Sequence, residues 1–204
     1  MSLYSIVVFV HVVAAFGLFV AMGLEWVVVA RVRRVETAEQ ARDLLDLLEV
    51  IRSLSPASMG VLLLAGIYMA ATVWGGVPWI VGAFVALLLL PPLGALTLWR
   101  LPRIAEQMAG ERGPLSDARR RQLTDPLLTA SIQTRTAIAV GIVFLMTNKP
   151  DAVGSAAAIA TAVLLGFAVS WPELRRWLRE RGRAPRAAEE AAQTPLPRDV
   201  NRAA

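Results

Sequence analysis

Long apolar runs, separated by short polar connections rich in arginine, set the pattern of this chain. A bilayer core about 30 Å thick takes roughly 20 mostly apolar helical residues to cross, and five stretches meet or approach that length. The first runs from Leu3 to Ala30 and stops at Arg31, Arg33 and Arg34. From Thr37 to Arg52 the pattern turns amphipathic. Ala41, Leu44, Leu45, Leu48 and Ile51 recur at helical spacing among Glu39, Arg42, Asp43, Asp46 and Glu49, which predicts a surface helix over 37–52. Thr37 and Gln40 have the spacing of a capping box at its start.

The second span is expected from Pro56, where a first-turn proline is tolerated, to Trp74, with Gly75, Gly76 and Pro78 forming a tight turn. The third runs from Pro78 to Trp99 and carries Pro91 and Pro92 near its middle. Those two residues remove backbone donors and crowd the carbonyls of Leu87 and Leu88, which predicts a kink. In the fourth, the purely apolar part from Ala137 to Met146 covers only about 15 Å. That span therefore extends back to Leu127 and draws Gln133, Thr134, Arg135 and Thr136 into the membrane. The fifth is alanine-rich, runs from Ser155 to Trp171 and ends at Pro172; its small side chains suit close helix packing. Residues 1–178 are thus read as one bundle, and 179–204, with little to bury, as a disordered tail.

Composition agrees with an all-α, multi-pass transmembrane bundle of five spans. Of 204 residues, 56% are hydrophobic and 18% charged, too apolar for an ordinary soluble domain. The net charge of +5 would suggest nucleic acid in a soluble protein, but the arginines fall between and after the apolar runs instead of along one basic face. Nucleic-acid binding is not expected; the lipid bilayer is the partner, with protein partners or a homo-oligomer left open. Every basic residue except Lys149 falls on one side of the five-span arrangement, with Arg135 snorkelling there. This predicts an external amino terminus and a cytoplasmic carboxyl terminus. Trp26, Trp99, Trp171 and Trp177 mark the inner boundary and Trp74 and Trp79 the outer one. Met1 to Tyr4 lack the positive start of a cleavable signal, so the first run is read as a retained span.

The chemistry on offer is sparse. With no cysteine, disulfides and thiolate sites are excluded. The phosphate loop, the paired-histidine zinc helix and the nucleophile elbow are all missing, which argues against an ordinary hydrolase. What remains is polar groups inside spans, functional candidates because burying them is expensive. His11, the single histidine, shares a helix stripe with Ala14, Ala15, Leu18, Met22 and Glu25. It is read either as an interhelical hydrogen-bonding group or as a proton relay or axial ligand. One histidine rules out bis-histidine haem and leaves a His–Met or single-His arrangement, with Met69 the possible second ligand and Tyr68 at similar depth. Glu25 and Arg135 are the candidate ion pair, the alternative being Glu25 with Arg31.

Leu3-Tyr4 with His11-Val12-Val13-Ala14-Ala15, and Phe144-Leu145-Met146-Thr147-Asn148-Lys149-Pro150, resemble a family of small bacterial integral membrane proteins to which no reaction is assigned. The opening also looks like the first helix of copper-resistance D-type and protoporphyrinogen-oxidase J-type membrane proteins, a likeness that implies haem. Haem-binding relatives would supply further histidines in later helices, and this chain has none after His11. The resulting expectation is a non-enzymatic component of a bacterial cytoplasmic membrane that handles a small ligand or ion in its interior. A haem or metal redox protein using His11 is the first alternative. The second is a structural partner acting through its basic loops and amphipathic helix.

Overall fold

A computed structural model describes residues 2–193, with side chains as far as Arg179. Of the expected tail at 179–204, only Arg179 has a described side chain, and from 194 the tail lies outside the described residues altogether. The described chain is all-helical: α1 (Leu3–Val32), α2 (Ala38–Met69), α3 (Pro78–Gln107), α4 (Asp117–Leu123), α5 (Pro126–Asn148) and α6 (Ala152–Gln193). Five stretches, with α2 running on into a π-helical turn at Ala70–Trp74, are long and apolar enough to cross a membrane. This is the architecture of a multi-pass membrane protein, in which helices satisfy their backbone groups internally where no water can.

Local chemistry sets the helix ends. Ser2 Oγ accepts from the Ser5 N–H at the start of α1, and Asp125 from the Leu127 N–H at the start of α5, where Pro126 takes the first-turn position. At α2, Thr37 Oγ1 accepts from the Gln40 N–H, while Gln40 Oε1 accepts from the Glu36 N–H, a capping box reaching one residue further back than its usual form.

Two sequence expectations are corrected. The amphipathic segment at 37–52 is not a separate surface helix: α2 continues through Pro56 into the second span. Its apolar stripe, Ala41, Leu45, Leu48 and Ile51, is buried in a cluster with Val28, Val32, Leu101, Met108, Leu123 and Leu128. A stripe satisfied by other helices has no need of a membrane surface. The helix of the fifth span does not stop at Pro172 either: α6 runs on through it. Pro91 and Pro92, joined by Pro102, lie within a continuous α3. α4 is a short helix that hydropathy did not mark, and its approach joins the α1–α2 turn through an isolated bridge between Thr37 and Pro114.

The bundle has two parts. α1 packs along α2 as a hairpin, while α5 packs against both α3 and α6; narrower seams, α2 on α3 and α1 on α5, join the two. α5 is the central element, with half of its apolar window buried against 39% or less in the other four spans. Its union with α6 is close because Gly166 lies against the backbone of Thr134, where a Cβ would come within 2.5 Å of the Thr134 Cα. This central position explains how the fourth span tolerates polar residues: they face protein rather than lipid.

Candidate functional site

The site lies on the seam between the two parts. Glu25 on α1 and Arg135 on α5, only 2% and 5% exposed, form an ion pair through Oε2 and Nη2. The expected pair is therefore present, and Arg135 does not snorkel to an interface. Two charges removed from water repay their desolvation only when well paired, which makes this contact both costly to break and specific in partner. Glu25 Oε1 and Arg135 Nε remain buried without a hydrogen-bond partner among the described residues.

Space for the guanidinium comes from Gly94 on α3, where an added Cβ would collide with Arg135 Nη1. Neighbouring hydroxyls hold the same level. Ser131, one turn from Arg135, donates to the Leu93 carbonyl, and Trp26 Nε1 donates to Thr136 Oγ1 at 3.2 Å across the seam. On the far face of α5, Ser170 of α6 donates to Gln133 Oε1. Thr97 and Thr129 hydroxyls are buried without a partner among the described residues.

Arg135 also forms one wall of a cleft of about 410 Å³ between the hairpin and α3. Leu18 and Met22 of α1, Met59 and Leu63 of α2, and Leu90 and Leu98 of α3 make its sides apolar. Pro56, Pro91 and Trp99 at its rim are exposed, so the cleft opens sideways between α2 and α3. Its walls are mostly apolar, and the polar side chains among its lining residues are Arg135, Ser55 and Trp99.

The other predicted residues stand apart. His11 is not among the lining residues; its ring lies near Gly66 and Phe84 and interacts with the Leu62 backbone of α2, the interhelical contact that the sequence allowed, while its Nδ1 makes no well-formed hydrogen bond among the described residues. Tyr68 and Met69 are partly buried on α2, and among the described residues neither forms a hydrogen bond with His11. No group of three or more His, Cys, Asp or Glu side chains able to hold a metal is present among the described residues. Pro91 joins the cleft, while Pro92 does not.

Gly94 and Ser131 were not singled out from the sequence. A signal existed for the first, since glycine inside a helix costs roughly 0.5–1 kcal/mol relative to alanine and persists where something packs closely. At the opposite end of the bundle, Lys149 caps α5 in the left-handed conformation (φ 50°), and its ammonium lies 4.2 Å from the Trp74 ring centre and 5.9 Å from that of Trp79. Cation–π attraction thus accounts for a basic residue that, among the described side chains, stands away from the arginine-rich end. Comparison of the chain with protein-family models, curated proteins and solved structures finds no match.

Proposed function

We propose that the chain is a non-enzymatic, five-span protein of a bacterial cytoplasmic membrane that binds a small ligand in the cleft beside Glu25 and Arg135. Its amino terminus faces outward and its carboxyl terminus the cytoplasm, a reading supported by the arginine distribution. One observation carries the ligand-binding reading: a buried guanidinium, neutralised by Glu25, is also a wall of an open apolar cleft. A charge needed only for stability would be better enclosed on all sides.

The natural absence of cysteine makes the test direct. Ala95→Cys places a thiol on the cleft wall, and Val85→Cys places one on the outer face of the same helix, where Val85 is 50% exposed. A cleft that admits small molecules lets reagent and base reach the first thiol, which then reacts with methyl methanethiosulfonate about tenfold faster or more than the second, whose surroundings are hydrocarbon alone. Equal rates at the two positions would remove the cleft as a site.

A second reading rests on His11, whose ring lies inside the bundle beside Gly66 and the Leu62 backbone. Haem held there would show as a visible absorption band lost in His11→Ala, and a colourless preparation would set haem aside.

A further inference from the structure

Arg135 can recognise more than its ion-pair partner. A guanidinium carries five N–H donors in a fixed fork. Glu25 engages Nη2, Nε has no partner among the described residues, and Nη1 lies against Gly94, itself a lining residue of the cleft. A donor is therefore presented to the cleft while the charge is already neutralised. In a medium of low dielectric, a second anion beside a neutral pair adds an uncompensated charge, whereas a neutral acceptor adds none.

From this juxtaposition we propose that the cleft takes an uncharged, lipid-soluble molecule whose carbonyl or ester oxygen accepts a hydrogen bond from Arg135. This rests on the ligand-binding reading of the same cleft and names the class of ligand. The apolar remainder of the molecule lies against Leu18, Met59, Leu63 and Leu90, and it enters from the bilayer past Pro56 and Pro91, not from water. Gly94 is the specificity-determining position: its missing side chain lets Nη1 reach the cleft wall. Glu25 is a positioning residue that holds the guanidinium and makes the site reject anions.

The test is adduct formation by native mass spectrometry of the full chain in maltoside micelles, with four added probes. Monooleoylglycerol supplies an ester, decylubiquinone supplies ring carbonyls, oleate supplies an anion of matched chain length, and octadecane supplies chain alone. The wild type is expected to form a one-to-one adduct with the ester, the quinone or both at concentrations about tenfold below those needed for oleate or octadecane, a tenfold ratio being about 1.4 kcal/mol. Which of the two binds identifies the source of the carbonyl. Because Arg135→Met alone strands Glu25, the comparison variant is the double replacement Glu25→Leu with Arg135→Met, in which apolar side chains fill the same space. It is expected to lose the preference for ester or quinone over octadecane. Met59→Trp, which leaves the ion pair intact and fills the cleft, is expected to weaken every adduct. Equal or tighter binding of oleate by the wild type, or an undiminished preference in the double variant, would overturn the inference. If Ala95→Cys still reacts faster than Val85→Cys, the cleft survives as a site and only its ligand class is wrong.

Discussion

At the scale of single residues, the Glu25–Arg135 pair governs what the protein tolerates. Removing one partner of a buried pair leaves an uncompensated charge and costs about 3–5 kcal/mol, whereas replacing both by apolar side chains of similar volume is often neutral. Arg135→Met is therefore expected to unfold at markedly lower denaturant in mixed micelles, and Glu25→Leu in the same chain to restore most of the loss. If the single and double variants were equally destabilised, the pair would not be coupled. This pair was legible in the sequence because each partner is a charge within an apolar run, and such charges need partners. Gly94 was not legible in the same way. The close approach of α3 to α5 is a property of two helices at once, and neither helix's own periodicity specifies it.

At the scale of elements, α2 shows where pattern reading works and where it stops. The stripe of Ala41, Leu45, Leu48 and Ile51 predicts a helix with one apolar face, and the structure has that helix. Amphipathicity does not say what covers the face, however; a lipid surface and a neighbouring helix ask for the same spacing. Here the cover is α1, the lower part of α3, α4 and the start of α5. Leu48→Ala and Ile51→Ala, each at a residue 1% exposed, are accordingly expected to destabilise the bundle by about 2–5 kcal/mol. Val50→Ala, on the same turns but 53% exposed, is expected to stay within about 0.5 kcal/mol of the wild type. Thermal unfolding of the purified chain in one detergent would separate the cases, and a helix merely resting on a membrane would show no such asymmetry. Pro56 belongs to the same argument. It suggested a boundary because proline suits a first turn, yet it lies inside the continuous α2, exposed beside the cleft.

For the whole molecule, crossing by all five long apolar helices would put the two termini on opposite sides of a membrane, and the charge distribution supports one of the two orientations. Arg31, Arg33, Arg34, Arg100, Arg103 and Arg119 to Arg121 cluster between spans at one end, where Arg33 pairs with Glu173 at 3.1 Å and Arg100 with Asp125 at 3.0 Å. At the other end, Lys149 is held over Trp74 instead of standing free, and Trp74 Nε1 donates to the Tyr4 hydroxyl at 3.1 Å. Positive residues near spans resist translocation, so the arginine-rich end is expected in the cytoplasm. Hydropathy reveals the five spans because each helix must satisfy its own backbone in lipid. It does not reveal the division into a hairpin and a three-helix unit, which depends on choices among apolar neighbours of similar hydrophobicity. The topology has a direct measurement. Green fluorescent protein fused after Ala204 is expected to fluoresce, and alkaline phosphatase at the same place to stay inactive, with the pattern reversed for insertions in the turn at Lys149 to Asp151. An active phosphatase at the carboxyl end would place the arginine clusters outside. The proposed entry of a ligand to the cleft between α2 and α3 would be untouched by that reversal, because it lies between helices and not at either end of the bundle.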